Sequence, residues 1–341
     1  MVMEHVTNFT PEALENLFSR WNDSIYRARA VSRNLFREGV NDFDEMVNVA
    51  QKTRRLLKTH FEIPQLKLVK QSFSQDGTQK FLFELPDGLR IESVMIPNVG
   101  QSENNQALCI SSQVGCAMGC TFCLTGTMGL KRNLETWEIV EQYRAVKRII
   151  GKNISNIVFM GMGEPLHNLE NVIQAISIFT SPFGSNLPPR KITVSTSGML
   201  PELQELARRT QVSLALTLSA PENDLRTKIM PINRKWNIDQ VMQTVKNIAQ
   251  QKKDRIFLEY VLLKGINDQP SHAIKIAELL KGISCKLNLI PFNSFPNSAF
   301  ETPSDPDVYQ FGRLLRDRGI AVSIRITRGR DISAACGQLA H

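Results

Sequence analysis

The stretch IVEQYRAVKRIIGKNISNIVFMGMGEP, residues 139–165, joins two kinds of periodicity. Its first half sets Ile139, Tyr143, Val146 and Ile150 at steps of four, three and four, which gives a helix one apolar face. Its second half runs from Ile157 to Met160 without a charge and breaks on Gly161-Met-Gly-Glu-Pro165, a short buried strand opening into a loop. The same alternation extends outward, with strands expected at Leu108–Ser112, Lys191–Ser195, Ser213–Leu218, Ile256–Leu262, Lys286–Ile290 and Ala321–Arg325. Strands that alternate with amphipathic helices build a parallel sheet wrapped by helices, an α/β fold. Seven strands are too few for a closed eight-fold barrel, so a partial barrel open on one side is predicted. Functional residues then belong at strand carboxyl ends, where Gly115-Cys116, Gly161-Met-Gly-Glu-Pro165, Ser195-Thr-Ser-Gly198 and Pro291-Phe-Asn293 fall.

Upstream the period shortens. Between Gln65 and Ile96 apolar and polar residues alternate, and Asp76-Gly77 and Asp87-Gly88 separate the runs, which predicts a small antiparallel meander. Residues 1–60 read as a small helical domain: Thr10-Pro11 is a cap followed by Pro at the first helical position, and Asp42 opens a second helical stretch. Arg29, Arg33 and Arg37 would share one helix face, as solvated charge or as a phosphate-contacting row. The chain thus divides into a helical accessory domain (1–60), a meander (61–100) and the barrel with its C-terminal segment (101–341).

The 341 residues, 42% hydrophobic and 22% charged, have ordinary globular composition, which excludes a disordered or collagen-like chain. Lys and Arg number 41 against 33 Asp and Glu, a net charge of +8 that favours a polyanionic partner such as nucleic acid. No segment approaches the roughly 18 apolar residues of a membrane span, and the amino terminus lacks a leader's apolar core, so a cytoplasmic protein without a membrane partner is expected. Six cysteines are too few for a disulfide scaffold, and four of them crowd into Cys109–Cys123, which points to metal or redox chemistry.

Cys116, Cys120 and Cys123 lie within one loop. Zinc would need a fourth ligand, and no second Cys or His pair stands at zinc-site spacing. Three thiolates suit a 4Fe-4S cluster with one iron open to an outside ligand. The pattern Cys116-Ala-Met-Gly-Cys120-Thr-Phe-Cys123 resembles the signature of the radical S-adenosylmethionine (SAM) superfamily. The resemblance implies a partial (βα)6-type radical SAM barrel, a cluster held by the three cysteines, and SAM chelated on the open iron and cleaved by one electron to a 5′-deoxyadenosyl radical. Gly161-Met-Gly-Glu164 resembles the element that receives the SAM ammonium.

A second set of matches runs from Glu92 to the end of the chain: Cys109-Ile-Ser-Ser-Gln-Val-Gly-Cys116, Met230-Pro-Ile-Asn233, Asn288-Leu-Ile-Pro-Phe-Asn293, Thr327-Arg-Gly329 and Asp331-Ile-Ser-Ala-Ala-Cys336-Gly-Gln-Leu339. Together they resemble the radical SAM RNA adenine methyltransferases, which act on C2 of adenosine, with C8-modifying relatives. Adenine C2 is an electron-poor carbon that cannot take a methyl from SAM by polar displacement, so a carrier is needed, and a Cys thiolate can serve. The resemblance implies that Cys336 is the methyl carrier, that Cys109 is the resolving thiol forming a disulfide with it, and that Glu92 is the proton acceptor. It implies SAM contacts at Gly163, Glu164, Ser195, Thr217, Leu218, Ser219 and Asn293, and two SAM molecules per turnover. Thr217-Leu-Ser-Ala-Pro221 departs from the family's Ser-Leu-His-Ala-Pro, so a hydroxyl replaces an imidazole at residue 219. Cys285 reads as packing.

The implied partners are 23S ribosomal RNA, transfer RNA and an electron donor such as flavodoxin, served by a monomer. Lys131, Arg132, Arg325, Arg328 and Arg330 flank the cysteine loop and the Cys336 loop and are candidates for RNA phosphates. A C8 methyltransferase and a noncatalytic RNA-binding protein with a structural metal remain as alternatives. An activase acting on protein does not account for a methyl-bearing thiol.

Overall fold

The computed structural model describes residues 3–97, 105–252 and 256–340. The chain opens with β1 (Glu4–His5), α1 (Pro11–Arg20), α2 (Ile25–Arg33), α3 (Gln51–His60) and β2 (Phe61–Glu62), and β1 pairs with β2. Thr10 caps α1 as the sequence predicts, its hydroxyl accepting from the Ala13 N–H. Asp42 does not open a long helix. Its carboxylate accepts from the Asp44 N–H and caps a short 3-10 turn, Phe43–Glu45, and α3 starts only at Gln51. Phe43, Met46 and Val49 are all buried at steps of three, a spacing that successive tight turns satisfy as well as a helix does.

The meander consists of β3 (Lys67–Phe73), β4 (Gln79–Glu84) and β5 (Arg90–Pro97), antiparallel throughout. Next come β6 (Gln106–Cys109), β7 (Gln113–Cys116), α4 (Leu124–Thr127), β8 (Gly129–Asn133), α5 (Thr136–Ile150), β9 (Asn156–Phe159) and α6 (Leu169–Thr180). The remainder is β10 (Ile192–Thr196), α7 (Leu200–Arg209), β11 (Ser213–Thr217), α8 (Asn223–Ile229), α9 (Ile238–Lys252), β12 (Ile256–Leu262), α10 (Pro270–Leu279), β13 (Cys285–Pro291), α11 (Asp305–Arg316) and β14 (Val322–Ile324).

Ten of these strands form one sheet in the order β14-β13-β12-β11-β10-β9-β6-β5-β4-β3. From β6 to β14 neighbours are parallel and follow chain order, which is the predicted partial barrel. The meander does not stand apart as a linker: β5 pairs antiparallel with β6, Val94 opposite Cys109, so it continues the barrel sheet. The strand cores are mostly apolar, with Leu108, Ile157, Val194, Leu216, Leu258 and Leu287 all buried, as strands covered on both faces require. Ile139, Tyr143 and Val146 of α5 are buried as their spacing predicts.

The first parallel strand ends earlier than the sequence suggests. After Ile110, whose N–H still donates to the Val158 carbonyl, the Ser112 and Gln113 N–H groups turn to Met162 and the chain leaves the sheet. Gln113–Cys116 then pairs antiparallel with β8, so Gly115-Cys116 closes a separate hairpin and not a barrel strand. Gly115 has a φ of +73°, and a Cβ there would collide with the Gly129 carbonyl of the facing strand. The arginine face of the amino-terminal unit borders the Pro182-Phe183 turn, with Arg33 still exposed. The Arg29 and Arg33 guanidinium carbons lie 4.5 and 5.2 Å from the Phe183 ring centre, and Arg37 donates to the Pro182 carbonyl at 2.7 Å.

After β14 the chain returns across the sheet to the meander. Gly329 donates to Asp76 at 2.9 Å, Ser74 donates to Asp331 at 2.6 Å, and Lys80 donates to the Ser333 carbonyl at 3.1 Å. Partial burial works to raise the Asp76 pKa, yet donors from Thr78, Gly329 and Ser74 outweigh it and hold the carboxyl at about 2. A carboxyl depressed in this way stabilises the fold above its ordinary range near 3.8, and that contribution fades as pH falls toward 2. Asp76→Asn should therefore cost about 1–2 kcal/mol at neutral pH, and denaturant titration should show the gap between variant and wild type closing between pH 4 and 2. Gly115→Ala should lower the melting temperature more than Gly88→Ala, since an added Cβ at Gly88 meets open space at a similar positive φ.

Candidate active site

A solvent-open cleft of about 920 Å³ lies at the carboxyl ends of β9–β13. Cys116 at the end of β7, Cys120, and Cys123 just before α4 all line it. The loop that carries them is braced from below. Thr121 donates its N–H to the Ile229 carbonyl at 3.0 Å, Cys123 to the Cys120 carbonyl at 3.1 Å, and Phe122 packs in a small core with Ile229, Met230, Leu263 and Phe292. Burial pushes the Cys116 thiol up to about 12 and raises Cys120 and Cys123 as well, and a charge on Cys123 further raises Cys116 and Cys120. Thiolates at these positions need a strong cationic centre. Among the described residues, no three His, Cys, Asp or Glu side chains converge closely enough to hold a single metal ion. Three thiols spread along one wall suit a polynuclear cluster, whose iron atoms sit at separate corners, better than zinc.

Facing this loop, Gly163 has a φ of +101°, and a Cβ there would fall 2.5 Å from Cβ of Gln113. Only glycine fits, and the main chain stays bare toward the cleft. Glu164 is buried, its carboxylate accepting from the Ser197 N–H and hydroxyl, both at 2.8 Å, and from the Leu166 N–H at 3.1 Å. Burial raises its pKa against these donors, and no ion pair among the described residues reaches it. A buried carboxylate open to a cleft without a cationic partner is suited to an ammonium ligand. Ser195, Thr217 and Asn293 complete the wall from the ends of β10, β11 and β13.

Cys336 reaches the same cleft from the C-terminal segment. Asn293 donates to the Cys336 carbonyl at 3.1 Å, Gln338 to the Ser294 carbonyl at 2.6 Å, and Leu124 to the Gly337 carbonyl at 2.8 Å. The thiol is accessible through the mouth of the cleft yet enclosed by protein, and burial, then the nearby Glu259 charge, pushes it up to about 11. Cys109 is buried at the end of β6, against the Met160 main chain, near enough that a charge on Cys336 raises its pKa. All six cysteines are free, so the disulfide implied between Cys109 and Cys336 is absent.

Four expected site residues stand off the cleft wall. Leu218 is buried behind it. Ser219 has a φ of +52°, its hydroxyl accepts from the Val261 N–H at 3.1 Å, and its carbonyl accepts from Asn267, so it links β11 to β12 from behind. Cys109 and Glu92 also lie outside the lining. The Glu92 carboxylate is held by Lys80 at 2.9 Å and by the Ala340 N–H at 3.0 Å, in a smaller cavity beside Ser333. Of the basic candidates, Arg132 is committed to Asp87 and, through both terminal nitrogens, to Glu138, while Lys131, Arg325 and Arg330 are exposed. Cys285 sits apart at the start of β13. Two buried charged residues escaped the sequence reading. Glu259, within the apolar strand β12, accepts from the Ser195 hydroxyl at 2.8 Å and lines the cleft; a lone charge in such a run is its signal. Arg226, in α8, has no local signal.

Residues 110–277 match the radical SAM superfamily, and residues 5–63 match the ribosomal RNA large subunit methyltransferase N-terminal domain. The chain is 46% identical over 337 residues to the dual-specificity RNA methyltransferase RlmN of Geobacter sulfurreducens, covering 99% of this chain and 92% of that protein. It is 43% identical over 336 residues to the RlmN of Syntrophobacter fumaroxidans, covering 98% and 97%. A radical SAM methyltransferase from Sphaerobacter thermophilus of known crystal structure superposes with a TM-score of 0.91 at 39% identity, over 98% of this chain and 99% of that one. The superfamily works with a 4Fe-4S cluster and SAM. Identity at this level along nearly the whole chain, on the fold and cleft that such chemistry needs, means that the chain belongs to the RlmN family of radical SAM RNA methyltransferases.

Proposed function

We propose that this enzyme methylates C2 of adenosine in 23S ribosomal RNA and in transfer RNA, with Cys336 as the methyl carrier. One observation carries the reading: the Cys336 thiol shares a single cleft with the three thiols of the Cys116–Cys123 loop and with the Glu164 carboxylate. When bound, the cluster and SAM supply the electron, the methyl group and a carbon-centred radical. Cys116, Cys120 and Cys123 hold the cluster. Glu164 takes the SAM ammonium, the bare backbone at Gly163 permits close approach, and Ser195, Thr217 and Asn293 border the ligand. Leu218 and Ser219 support that border from behind.

Cys336 must be a thiolate to accept the methyl group; burial and the Glu259 charge work against that form, and a cationic ligand in the cleft works for it. SAM, a sulfonium, is such a ligand. Cys109, behind the Met160 main chain, is the second thiol, which frees the product from Cys336. Glu92 can take the ring proton only after the segment ending at Ala340 withdraws, because that segment and Lys80 now occupy its carboxylate. Lys131, Arg325, Arg328 and Arg330 offer charge to RNA phosphates, and the net charge of +8 favours the encounter. The amino-terminal helical unit serves as an RNA-contacting domain beside the barrel. No helix among the described residues is long and apolar enough to cross a membrane, and we place the enzyme in the cytoplasm as a monomer supplied by a flavodoxin-type donor.

The decisive experiment is anaerobic: reconstituted enzyme, reductant, unmodified RNA and methyl-labelled SAM, with the labelled nucleoside identified by mass spectrometry. The expected product is 2-methyladenosine. An 8-methyladenosine product would assign the other carbon, and no labelled nucleoside despite 5′-deoxyadenosine release would sink the RNA substrate. Cys336→Ala should keep the cluster's absorbance and lose RNA methylation, and retained methylation would remove the carrier. Glu164→Gln should weaken SAM binding about tenfold, ~1.4 kcal/mol, in equilibrium binding to reconstituted enzyme.

A further inference from the structure

Arg226 of α8 has no accessible surface. Its Nε donates to the Leu218 carbonyl at 3.2 Å, Nη1 to Asn233 Oδ1 at 3.1 Å, and Nη2 to the Ser197 and Thr217 carbonyls at 2.9 and 3.2 Å. All of these acceptors are neutral. Among the described residues no carboxylate pairs with it, in contrast to the equally buried Arg144, which sits on Glu141. A guanidinium stays protonated even when burial pulls its pKa down to about 10, so a full positive charge is stored in the protein interior. Dipoles alone offset such a charge poorly, and a buried ion without a countercharge is costly.

A negative countercharge is on offer in the cysteine loop. Ser197 and Thr217, whose carbonyls hold Nη2 of Arg226, line the same cleft as Cys120, so the guanidinium stands directly behind the wall that faces the loop. The loop is also tied to the helix that carries Arg226. Thr121, next to Cys120, donates both N–H and hydroxyl to the Ile229 carbonyl at the end of α8, at 3.0 and 3.4 Å, and Met230 donates back to the Arg226 carbonyl at 2.6 Å. Three thiolates outweigh the charge of an oxidised cubane core, and one more electron makes the loop more negative still. A fixed cation in a medium of low polarity stabilises the more negative state by a larger amount.

We propose that Arg226 is the built-in counter-ion of the cysteine loop, a positioning residue that raises the reduction potential of the cluster and pins the carboxyl ends of β10 and β11. The proposal rests on the reading of Cys116, Cys120 and Cys123 as cluster ligands. The test compares wild type, Arg226→Gln and Arg226→Lys, each reconstituted anaerobically and titrated potentiometrically with electron paramagnetic resonance detection. At the wild-type midpoint the reduced-to-oxidised ratio of the Gln variant should fall about tenfold, a shift of ~59 mV to more negative potential for one electron. The Lys variant keeps the charge and loses the fork, and should stay closer to wild type in potential than the Gln variant does. A Gln variant that titrates with wild type, or a Lys variant that falls as far as Gln, overturns the electrostatic role and leaves only a brace. Should the Gln variant fail to fold, the Lys variant decides alone: a potential near wild type supports the charge, and a tenfold loss refutes it. Wild type that takes up no cluster would fail the ligand reading itself, a result separable from an unchanged potential in loaded variants.

Discussion

Ser197 stands between two buried charges of opposite sign. Its N–H and hydroxyl donate to Glu164 and its carbonyl accepts from Arg226, so one residue at the end of β10 satisfies a carboxylate and a guanidinium at once. Charge withdrawn from water must be met by oriented dipoles or be neutralised. That requirement explains the local sequence. A Gly follows Ser197, the ends of β10 and β11 must approach each other closely enough to share Arg226, and Asn233 must reach back from beyond α8 to take the remaining nitrogen. The cleft is preorganised because its polar groups are tied to one another, and the ligands it receives meet dipoles already aimed.

The fold was largely legible because its signals are local. Helical spacing in α5, uncharged runs at β9 and β12, and the Asp-Gly turns of the meander each follow from residues within a few positions of one another. The cysteine loop was legible for the same reason. What escaped depends on partners distant in sequence. The antiparallel hairpin Gln113–Asn133 looked like a strand end and a loop, because nothing in Gln113-Val-Gly-Cys116 announces that Gly129 lies across from it. Asp42 carried the cap signal of a helix, and a two-residue side-chain bond satisfied it sooner. Arg29 and Arg33 of α2 found a partner in the ring of Phe183, far along the chain.

The site was legible in part. Eight of the expected binding and ligand positions, among them Cys116, Cys120, Cys123 and Glu164, meet in one cleft together with Cys336. Ser219 stands off the lining for a local reason: in a left-handed turn its hydroxyl accepts from the Val261 N–H of β12 and faces that strand. Glu92 and Cys109 sit one step back from the cleft, the first clasped by Lys80 and the chain end, the second behind Met160. The C-terminal segment that delivers Cys336 to the cleft also bonds Glu92, so two of the expected catalytic side chains are held by one stretch of chain.

That segment also fixes an order of events in the life of the chain. The hydrogen bond from Thr125 to the Leu339 carbonyl spans 214 residues, and the contacts of Gly329, Asp331 and Ser333 with the meander span even more. During synthesis the thiol loop and the strands around it emerge and assemble before their cover exists. The segment around Cys336 closes over chemistry built from residues far earlier in the chain. The cleft that Cys336 shares with the loop cysteines is therefore completed by contacts spanning 214 residues and more, the kind whose closure costs the chain the most entropy.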